Sequence, residues 1–180
     1  MKEIIKFTLP LVIVCIISAV ALAYTFAITS PIIEANQLGG LKQSLEEILP
    51  NADTFVPIET TIESDNLVIE QIFEAKKSEE VVGLAAVVVT PGYQDTIKFL
   101  IGLKPTESTF QISDIKILQL LETPGVGSRV GEEDFLSQFR NQDPEKEFDT
   151  ITGATVSSSA VINAVKEASI KLMEKYNVIN

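Results

Sequence analysis

The chain has 180 residues, no histidine, no tryptophan and a single cysteine, Cys15. This inventory excludes Ser-His-Asp and Cys-His nucleophile systems, the usual zinc and haem ligands, internal disulfides and cysteine-held iron–sulfur clusters, so any redox role would use an imported organic cofactor. The net charge of −11 disfavours nucleic acid as a partner, because an acidic surface repels phosphate backbones.

The first predicted element is a membrane-spanning helix. No charged residue occurs from Phe7 to Ile33, a run of 27 residues, and roughly 20 apolar residues suffice to cross the hydrocarbon core. Lys2 and Lys6 precede the run, whereas the next basic residue is Lys42. The positive-inside rule therefore predicts a single-pass protein of the cell membrane, with a cytoplasmic N-terminus and the main domain outside the cytoplasm.

A cleaved signal peptide is the alternative interpretation of this segment. Ala21-Leu22-Ala23 has the small-x-small form of a cleavage site. The apolar stretch continues past it to Ile28, which favours a retained anchor.

The remainder of the chain is predicted to contain a linking region and one domain. We divide the sequence into an anchor at residues 1–33, a linking helix and connector at 34–66, and a domain at 67–180. Apolar residues at helical spacing predict a helix over residues 34–49. This helix either continues the membrane helix or follows it after a break at Ser30-Pro31.

The domain is predicted to be α+β, with a mainly antiparallel sheet and helices packed on it. Val81–Thr90 is apolar almost throughout, which is typical of a central strand buried on both faces. One-sided apolar spacing predicts a terminal helix over Ser159–Tyr176, and Glu132–Phe139 is predicted as a short helix. The predicted strands are Leu67–Glu74, Val81–Thr90, Thr96–Leu103 and Gln111–Glu122.

The segment from Asp149 to Thr155 reads Asp-Thr-Ile-Thr-Gly-Ala-Thr. Its small residues allow close approach of the backbone to a ligand. One of the serines at 157–159 is expected to cap the following helix, whose N-terminus would favour an anion near Thr155. The hydroxyls of Ser157 and Ser158 could then donate to a phosphate. Taken alone, a Thr-Gly-Ala-Thr sequence is more typical of a plain helix-capping turn, whereas Asp149 at this offset favours a cofactor site.

A second segment, Glu-Thr-Pro-Gly-Val-Gly at residues 122–127, follows a predicted strand. Its proline and glycines favour a tight loop whose amides could face a ring system or a phosphate. Gly92-Tyr93 forms a third segment, between two predicted strands.

Together these segments resemble the FMN-binding domains of the Rnf and Na⁺-translocating quinone reductase complexes. The first matches the family pattern Asp-x-x-Ser/Thr-Gly-Ala-Thr, and the second is similar to its Glu-Thr-Pro-Gly-Leu-Gly loop. Gly92-Tyr93 resembles the start of its Gly-Tyr-x-Gly-x-Ile segment, although Asp95 replaces the second glycine. The compact size is more similar to the G subunit of an Rnf complex than to the longer C subunit of the quinone reductase.

The resemblance implies a covalent FMN, joined through its phosphate to Thr155 by a flavin transferase. It implies that the protein itself supplies no catalytic acid or base. It also implies that the positive charge of Arg129 could counter the negative charge of the flavin. The expected partners are other membrane subunits of an Rnf-type complex. That complex would pass electrons between ferredoxin and NAD⁺ and translocate Na⁺ or H⁺. The cofactor-binding residues predicted on this basis, with no metal ligand among them, are Thr155, Asp149, Thr152, Gly153, Ala154, Ser157, Ser158, Glu122, Thr123, Gly125, Gly127 and Tyr93.

Two other functions remain open at this point. The chain could carry FMN in a different extracytoplasmic electron-transfer chain. It could also be an acidic surface binding protein in which the Gly-Ala-Thr segment only caps a helix.

Overall fold

Helix α1 extends from Lys2 to Ile48 in the computed structural model, which describes residues 2–58, 61–106 and 109–179. Its stretch Thr8–Ser30 has 23 residues and is, within the described residues, the one helix long and apolar enough to cross a membrane. The large apolar side chains of this stretch are exposed, as expected of side chains that face lipid.

The α1 helix is uninterrupted at Ser30-Pro31, so the first of the two alternatives for residues 34–49 is correct. A proline removes one backbone hydrogen bond and bends a helix without necessarily ending it. The chain separates into two units, the first ending at Lys42 and the second beginning at Gln43. The division at residues 33 and 66 stays a prediction.

The second unit is built on an antiparallel sheet, which confirms the predicted α+β class. The strand order is β1-β3-β4-β5-β6, and β2 pairs with β3. The four predicted strands correspond to β3–β6, whereas β1 and β2 were missed. The strands are β1 Thr54–Ile58, β2 Ile62–Glu63, β3 Val68–Lys77, β4 Glu80–Pro91, β5 Thr96–Pro105 and β6 Phe110–Leu120.

Strand β4 is buried on both faces, as its continuous apolar sequence predicts. Leu84, Ala86 and Val88 belong to the main hydrophobic core. Ala85 and Val87 point to the opposite face and are also buried. Strand β4 is therefore central in the strand order and is also covered on both faces.

The end of α1 packs on the sheet face opposite the main core. Ile48 and Leu49 are buried there because Gly83 and Gly102 carry no side chain. A Cβ at Gly102 would lie 3.1 Å from Ile48 Cδ1 and 3.2 Å from Leu49 Cγ. The two glycines therefore make room for the helix end.

The segment predicted as a helix over Glu132–Phe139 forms a short α-helix, α2 (Glu133–Leu136), followed by a 3₁₀ turn over Ser137–Phe139. A separate 3₁₀ turn over Gly127–Gly131 precedes it. Phe135 and Phe139 are buried and their rings meet edge to face, with centroids 5.4 Å apart. This packing holds the short helices against the core.

The terminal helix, α3, spans Thr155–Ile179 and has 25 residues. Its buried stripe includes Val161, Val165, Ala168 and Leu172, all part of the main core. The helix begins four residues before the predicted start. The expectation that a serine at 157–159 caps it is therefore wrong, because these serines already lie in its first turns.

Candidate functional site

The carboxylate of Glu122 joins the three segments that the sequence singled out. Its Oε1 accepts hydrogen bonds from the backbone N–H groups of Gln94 (3.0 Å) and Asp95 (3.3 Å), in the turn between β4 and β5. Its Oε2 accepts a bond of 2.6 Å from the hydroxyl of Ser157, in the first turn of α3. The side chain is buried, with 6% exposed. Glu122 therefore ties together two loops and a helix end.

The ionised form of this carboxylate is stabilised. Burial acts to raise the pKa of Glu122, but the hydrogen bond from Ser157 and the backbone N–H groups of Gln94, Asp95 and Tyr93 outweigh it. The net result is a pKa below the ordinary value, because every partner donates to the charged form. Glu122 is thus an anion at neutral pH.

Two glycines allow the loops to close around Glu122. A Cβ at Gly127 would collide with Glu122 Oε2 and lie 2.9 Å from the Ser157 hydroxyl. A Cβ at Gly92 would collide with Glu122 Oε1 and lie 2.7 Å from the carbonyl oxygen of Asp95. Both positions therefore require glycine for space.

Gly125 and Gly153 serve a different purpose. Their φ angles are +73° and +85°, in the left-handed region that other residues rarely adopt. A Cβ at either would meet no atom within 4 Å. At these positions the backbone conformation requires glycine, and the space beside each α-carbon is open.

The segment that leads to Thr155 is held at several points. Gln138 pairs with the backbone of Asp149: its Oε1 accepts from the Asp149 N–H (2.8 Å) and its Nε2 donates to the Asp149 carbonyl (3.2 Å). The Ala154 N–H donates to the Ile151 carbonyl (2.9 Å), which closes a turn around Gly153. Ala154 is buried, so the turn is fixed at both ends.

Thr155 is the first residue of α3, and it is exposed. The N–H of Ser158 donates to the carbonyl of Ala154, so the amides of Thr155, Val156 and Ser157 precede the first backbone bond of the helix. Such amides and the helix dipole favour a negative group at this end. The threonine hydroxyl is therefore accessible beside an electropositive helix end.

Several exposed apolar residues lie in the segments that meet at this helix end. Six large hydrophobic side chains of the described second unit are exposed, and four of them are Tyr93 (75%), Leu121 (49%), Val126 (45%) and Val156 (56%). Each of the four is adjacent in sequence to Gln94, Glu122, Gly127 or Ser157, the residues around the buried carboxylate. We call these four residues the apolar rim. Exposed apolar residues that form a contiguous patch are typical of a binding surface.

The remaining predicted residues occupy the same region. Thr123 donates through its hydroxyl to the Gln94 side-chain oxygen (2.8 Å), and Arg129 Nη1 approaches the carbonyl of Thr152 at 3.5 Å. Thr152 and Gly153 are exposed. The three segments therefore meet at one site, although the binding role of each residue stays a prediction.

Three details of the site refine the sequence-based expectations. Glu122 faces inward and its carboxylate has protein partners, so its cofactor-binding role stays a prediction. The hydroxyls of Ser157 and Ser158 are buried and bonded within the protein, Ser158 donating to the Ala154 carbonyl (2.8 Å) and accepting from the Ile151 N–H (3.1 Å). Asp95 meets Glu122 through its backbone N–H, so the loss of the family's glycine leaves that contact possible.

Four residues that contribute to this site carry too little sequence signal to be predicted. Leu121, Val126 and Val156 look like ordinary core residues in a sequence, and only their position on the surface marks them. Gln138 carries no motif at all, because its contact with Asp149 spans 11 residues. An apolar side chain within a glycine-rich loop is the one available signal for Val126.

Comparison with known proteins agrees with this geometry. Residues 92–169 match the family model described as the FMN-binding domain. These residues run from the β4–β5 turn into α3 and include the Glu122 contacts and Thr155. The matched region, the sheet and the helix that is long enough to cross a membrane define the class: an FMN-binding domain preceded by an apolar N-terminal helix.

The full-length relatives specify the family. The chain is 30% identical over 177 residues to the G subunit of the ion-translocating oxidoreductase complex of Methanosarcina acetivorans, covering 93% of both chains. It is 26% identical over 178 residues to the G subunit of the proton-translocating ferredoxin:NAD(+) oxidoreductase complex of Clostridium ljungdahlii, covering 93% of this chain and 90% of the other. The chain belongs to the family formed by the G subunits of ion-translocating oxidoreductase complexes, which confirms the resemblance inferred from the motifs.

Among solved structures, the crystal structure of Shewanella oneidensis NqrC is similar, with a TM-score of 0.48 and 15% identity over 64% of each chain.

Proposed function

We propose that this chain is a membrane-anchored flavoprotein subunit of an Rnf-type ion-translocating oxidoreductase, and that it carries electrons on an FMN esterified through its phosphate to Thr155. One observation carries the proposal. An exposed threonine hydroxyl, the start of a 25-residue helix and the apolar rim occur together within the region that matches the FMN-binding domain.

The helix start suits the phosphate of the cofactor. A phosphate on Thr155 would lie beside the amides of Thr155, Val156 and Ser157, which precede the first backbone bond of α3. A negative group at a helix N-terminus is stabilised by about 0.3–1 kcal/mol at an exposed position. Arg129, whose guanidinium approaches the Thr152 carbonyl, would add a positive charge to the same turn.

The apolar rim suits the isoalloxazine ring. Tyr93, Val126 and Val156 expose apolar surface that a planar aromatic ring would cover. The open space beside Gly125 and Gly153 leaves room for close approach. The ring would stay partly exposed, as electron transfer over short distances to a partner requires.

FMN supplies the one- and two-electron redox chemistry when it is bound. The chain's own groups would hold it, orient it and set its surroundings. Glu122 is ionised and accepts hydrogen bonds from all its partners, so it has no proton to donate at neutral pH. A covalent bond would keep the cofactor in place where free FMN is scarce.

The anchor and the relatives support a place in a membrane complex. Thr8–Ser30 would hold the protein in the cell membrane, and Lys2 and Lys6 favour a cytoplasmic N-terminus with the FMN domain on the other side. The relatives are named as complex subunits, and one name specifies proton translocation with ferredoxin and NAD⁺. We therefore propose other membrane subunits as electron partners, and a flavin transferase as the maturation partner.

The test is co-expression of the full chain with a flavin transferase. The purified protein should gain the mass of one FMN less water, and its denatured band should fluoresce. Thr155→Val should lose both signals and remain folded, because the side chain is exposed. Thr150→Val is the matched control, since Thr150 is also exposed and lies five residues earlier at a variable position of the motif. Flavin retained in Thr155→Val would overturn the attachment site.

A protein that takes up no flavin in the presence of an active transferase would favour the acidic surface protein instead. Co-purification of the flavoprotein with other subunits from native membranes would distinguish an Rnf-type complex from another electron-transfer chain.

A further inference from the structure

The contacts of Glu122 connect the proposed attachment point to the proposed ring surface. Among the described residues, its one side-chain partner is Ser157, two residues after Thr155 in the first turn of α3. Its other partners are backbone amides of the β4–β5 turn, next to Tyr93. A single buried carboxylate therefore fixes the helix end relative to the turn that carries one side of the apolar rim.

The arrangement leaves little freedom to the parts that it joins. Hydrogen bonds to a charged group are stronger than those between neutral groups, and breaking one here would leave a buried carboxylate short of donors. A Cβ at Gly127 or at Gly92 would collide with the same carboxylate, so both loops pack closely against it. A displacement of Ser157 would move Thr155 and Val156 with it, because all three lie in one helical turn.

We propose that Glu122 is a positioning residue for the flavin: acting through Ser157, it sets the place of the Thr155 helix end against the apolar rim, so that the ring of the attached FMN is held instead of swinging freely. The inference rests on the proposed attachment of FMN to Thr155. It assigns to Glu122 a task other than contact with the ring.

Two variants separate this task from a purely structural one. Ser157→Ala removes the hydroxyl and keeps the carboxylate with its backbone donors. Glu122→Gln keeps the shape and removes the charge: its oxygen can still accept from the backbone amides, while its NH₂ can donate to the Ser157 oxygen. The conservative Gln variant should therefore preserve the link that the Ala variant breaks. Glu80→Gln is the matched control, because Glu80 is an exposed carboxylate at the start of β4, at the other end of the strand from the β4–β5 turn.

The experiment uses the full chain, loaded with FMN by the transferase, and compares the time-resolved fluorescence anisotropy and the visible circular dichroism of the attached flavin. Loss of one hydrogen bond to a charged group should raise the ratio of mobile to held flavin about tenfold in Ser157→Ala. Glu122→Gln should show a smaller change, and Glu80→Gln none. Intact mass should show one FMN in every variant.

Two results would overturn the proposal. If Ser157→Ala is thermally destabilised but its flavin keeps the wild-type anisotropy and circular dichroism, Glu122 stabilises the loops without positioning the flavin. If wild-type protein gains no FMN, the proposed function fails and this inference fails with it. Because mass reports attachment and anisotropy reports ring placement, the two failures are distinguishable.

Discussion

The hydroxyl of Ser157 donates a hydrogen bond of 2.6 Å to the carboxylate of Glu122, although 35 residues separate them along the chain. Both residues are buried, and each precedes or follows an exposed apolar residue, Val156 and Leu121. The alternation places a fixed polar contact beneath an apolar surface. The buried polar contact and the exposed apolar side chains therefore come from neighbouring residues of the same short segments.

The glycines of the site should respond differently to substitution. At Gly125 the φ of +73° is the obstacle, so alanine should cost about 1–2 kcal/mol of unfolding free energy. Asparagine, which tolerates that conformation, should cost less. At Gly127 the obstacle is the contact with Glu122 and Ser157, so asparagine should be no better than alanine. Chemical denaturation of the alanine and asparagine variants at both positions measures these free energies of unfolding. If asparagine is less destabilising than alanine by the same amount at both positions, the two glycines do not differ in this way.

The stability contributed by Glu122 should depend on pH. Its pKa in the folded protein is lower than the unfolded value of 4.5. Its contribution is therefore fully present above pH 4.5 and is lost as the pH falls from there through the folded pKa. The difference in unfolding free energy between wild type and Glu122→Gln should therefore become smaller as the pH falls over that range. The contributions of the other carboxylates cancel in this difference, because both proteins contain them. A difference that stays constant from neutral pH down to about pH 3 would contradict the structure.

Gln138→Ala should slow flavin attachment. The amide of Gln138 makes two hydrogen bonds to the backbone of Asp149, where the attachment segment begins. Each is worth about 0.5–1.5 kcal/mol, so the segment should spend more time away from its folded geometry. The measurement is the rate at which purified transferase adds mass to the variant. Gln119→Ala, at an exposed glutamine on β6, should match wild type, and an unchanged rate for Gln138→Ala would show that the Asp149 backbone requires no such support.

Val156→Ser should loosen the flavin ring without preventing attachment. Burying a few apolar carbons of Val156 under the ring would contribute roughly 1 kcal/mol, equivalent to about a fivefold change in the equilibrium between held and mobile flavin. Quenching of flavin fluorescence by iodide should increase accordingly. Ile170→Ser is the control, because Ile170 is similarly exposed (49% against 56%) on the same helix but lies more than three turns away. Equal iodide quenching in both variants would show that Val156 does not contact the flavin ring.

Much of the fold follows from local pattern. The strands β3–β6 and the helix α3 are long and strongly apolar, so their periodicity predicts them. Thr54–Ile58 was missed because it is short, mostly exposed and contains Pro57, which occurs in sheets mainly at edges. The start of α3 was placed too late because Thr155 and Val156 are β-branched and serines follow, all weak helix formers.

The motif residues of the site were predictable, but the contacts that connect them were not. The motifs identified Glu122, Thr155 and the glycines, yet no local signal indicates that a glutamate at the end of a strand is buried against a serine 35 residues later. Acidic residues are ordinarily exposed, so the burial of Glu122 could not be predicted from its sequence position. Apart from Tyr93, the apolar rim was not predictable either, since a valine or leucine in a sequence gives no sign of being exposed.

The central claim is a phosphoester on one hydroxyl, and peptide mapping of protein purified from its own membrane tests it most directly. We predict that the peptide containing residues 149–158 carries one FMN less water, and that fragmentation places the added mass on Thr155. The same peptide recovered unmodified from active membranes, or carrying its flavin on Thr152 or a serine, would contradict that claim.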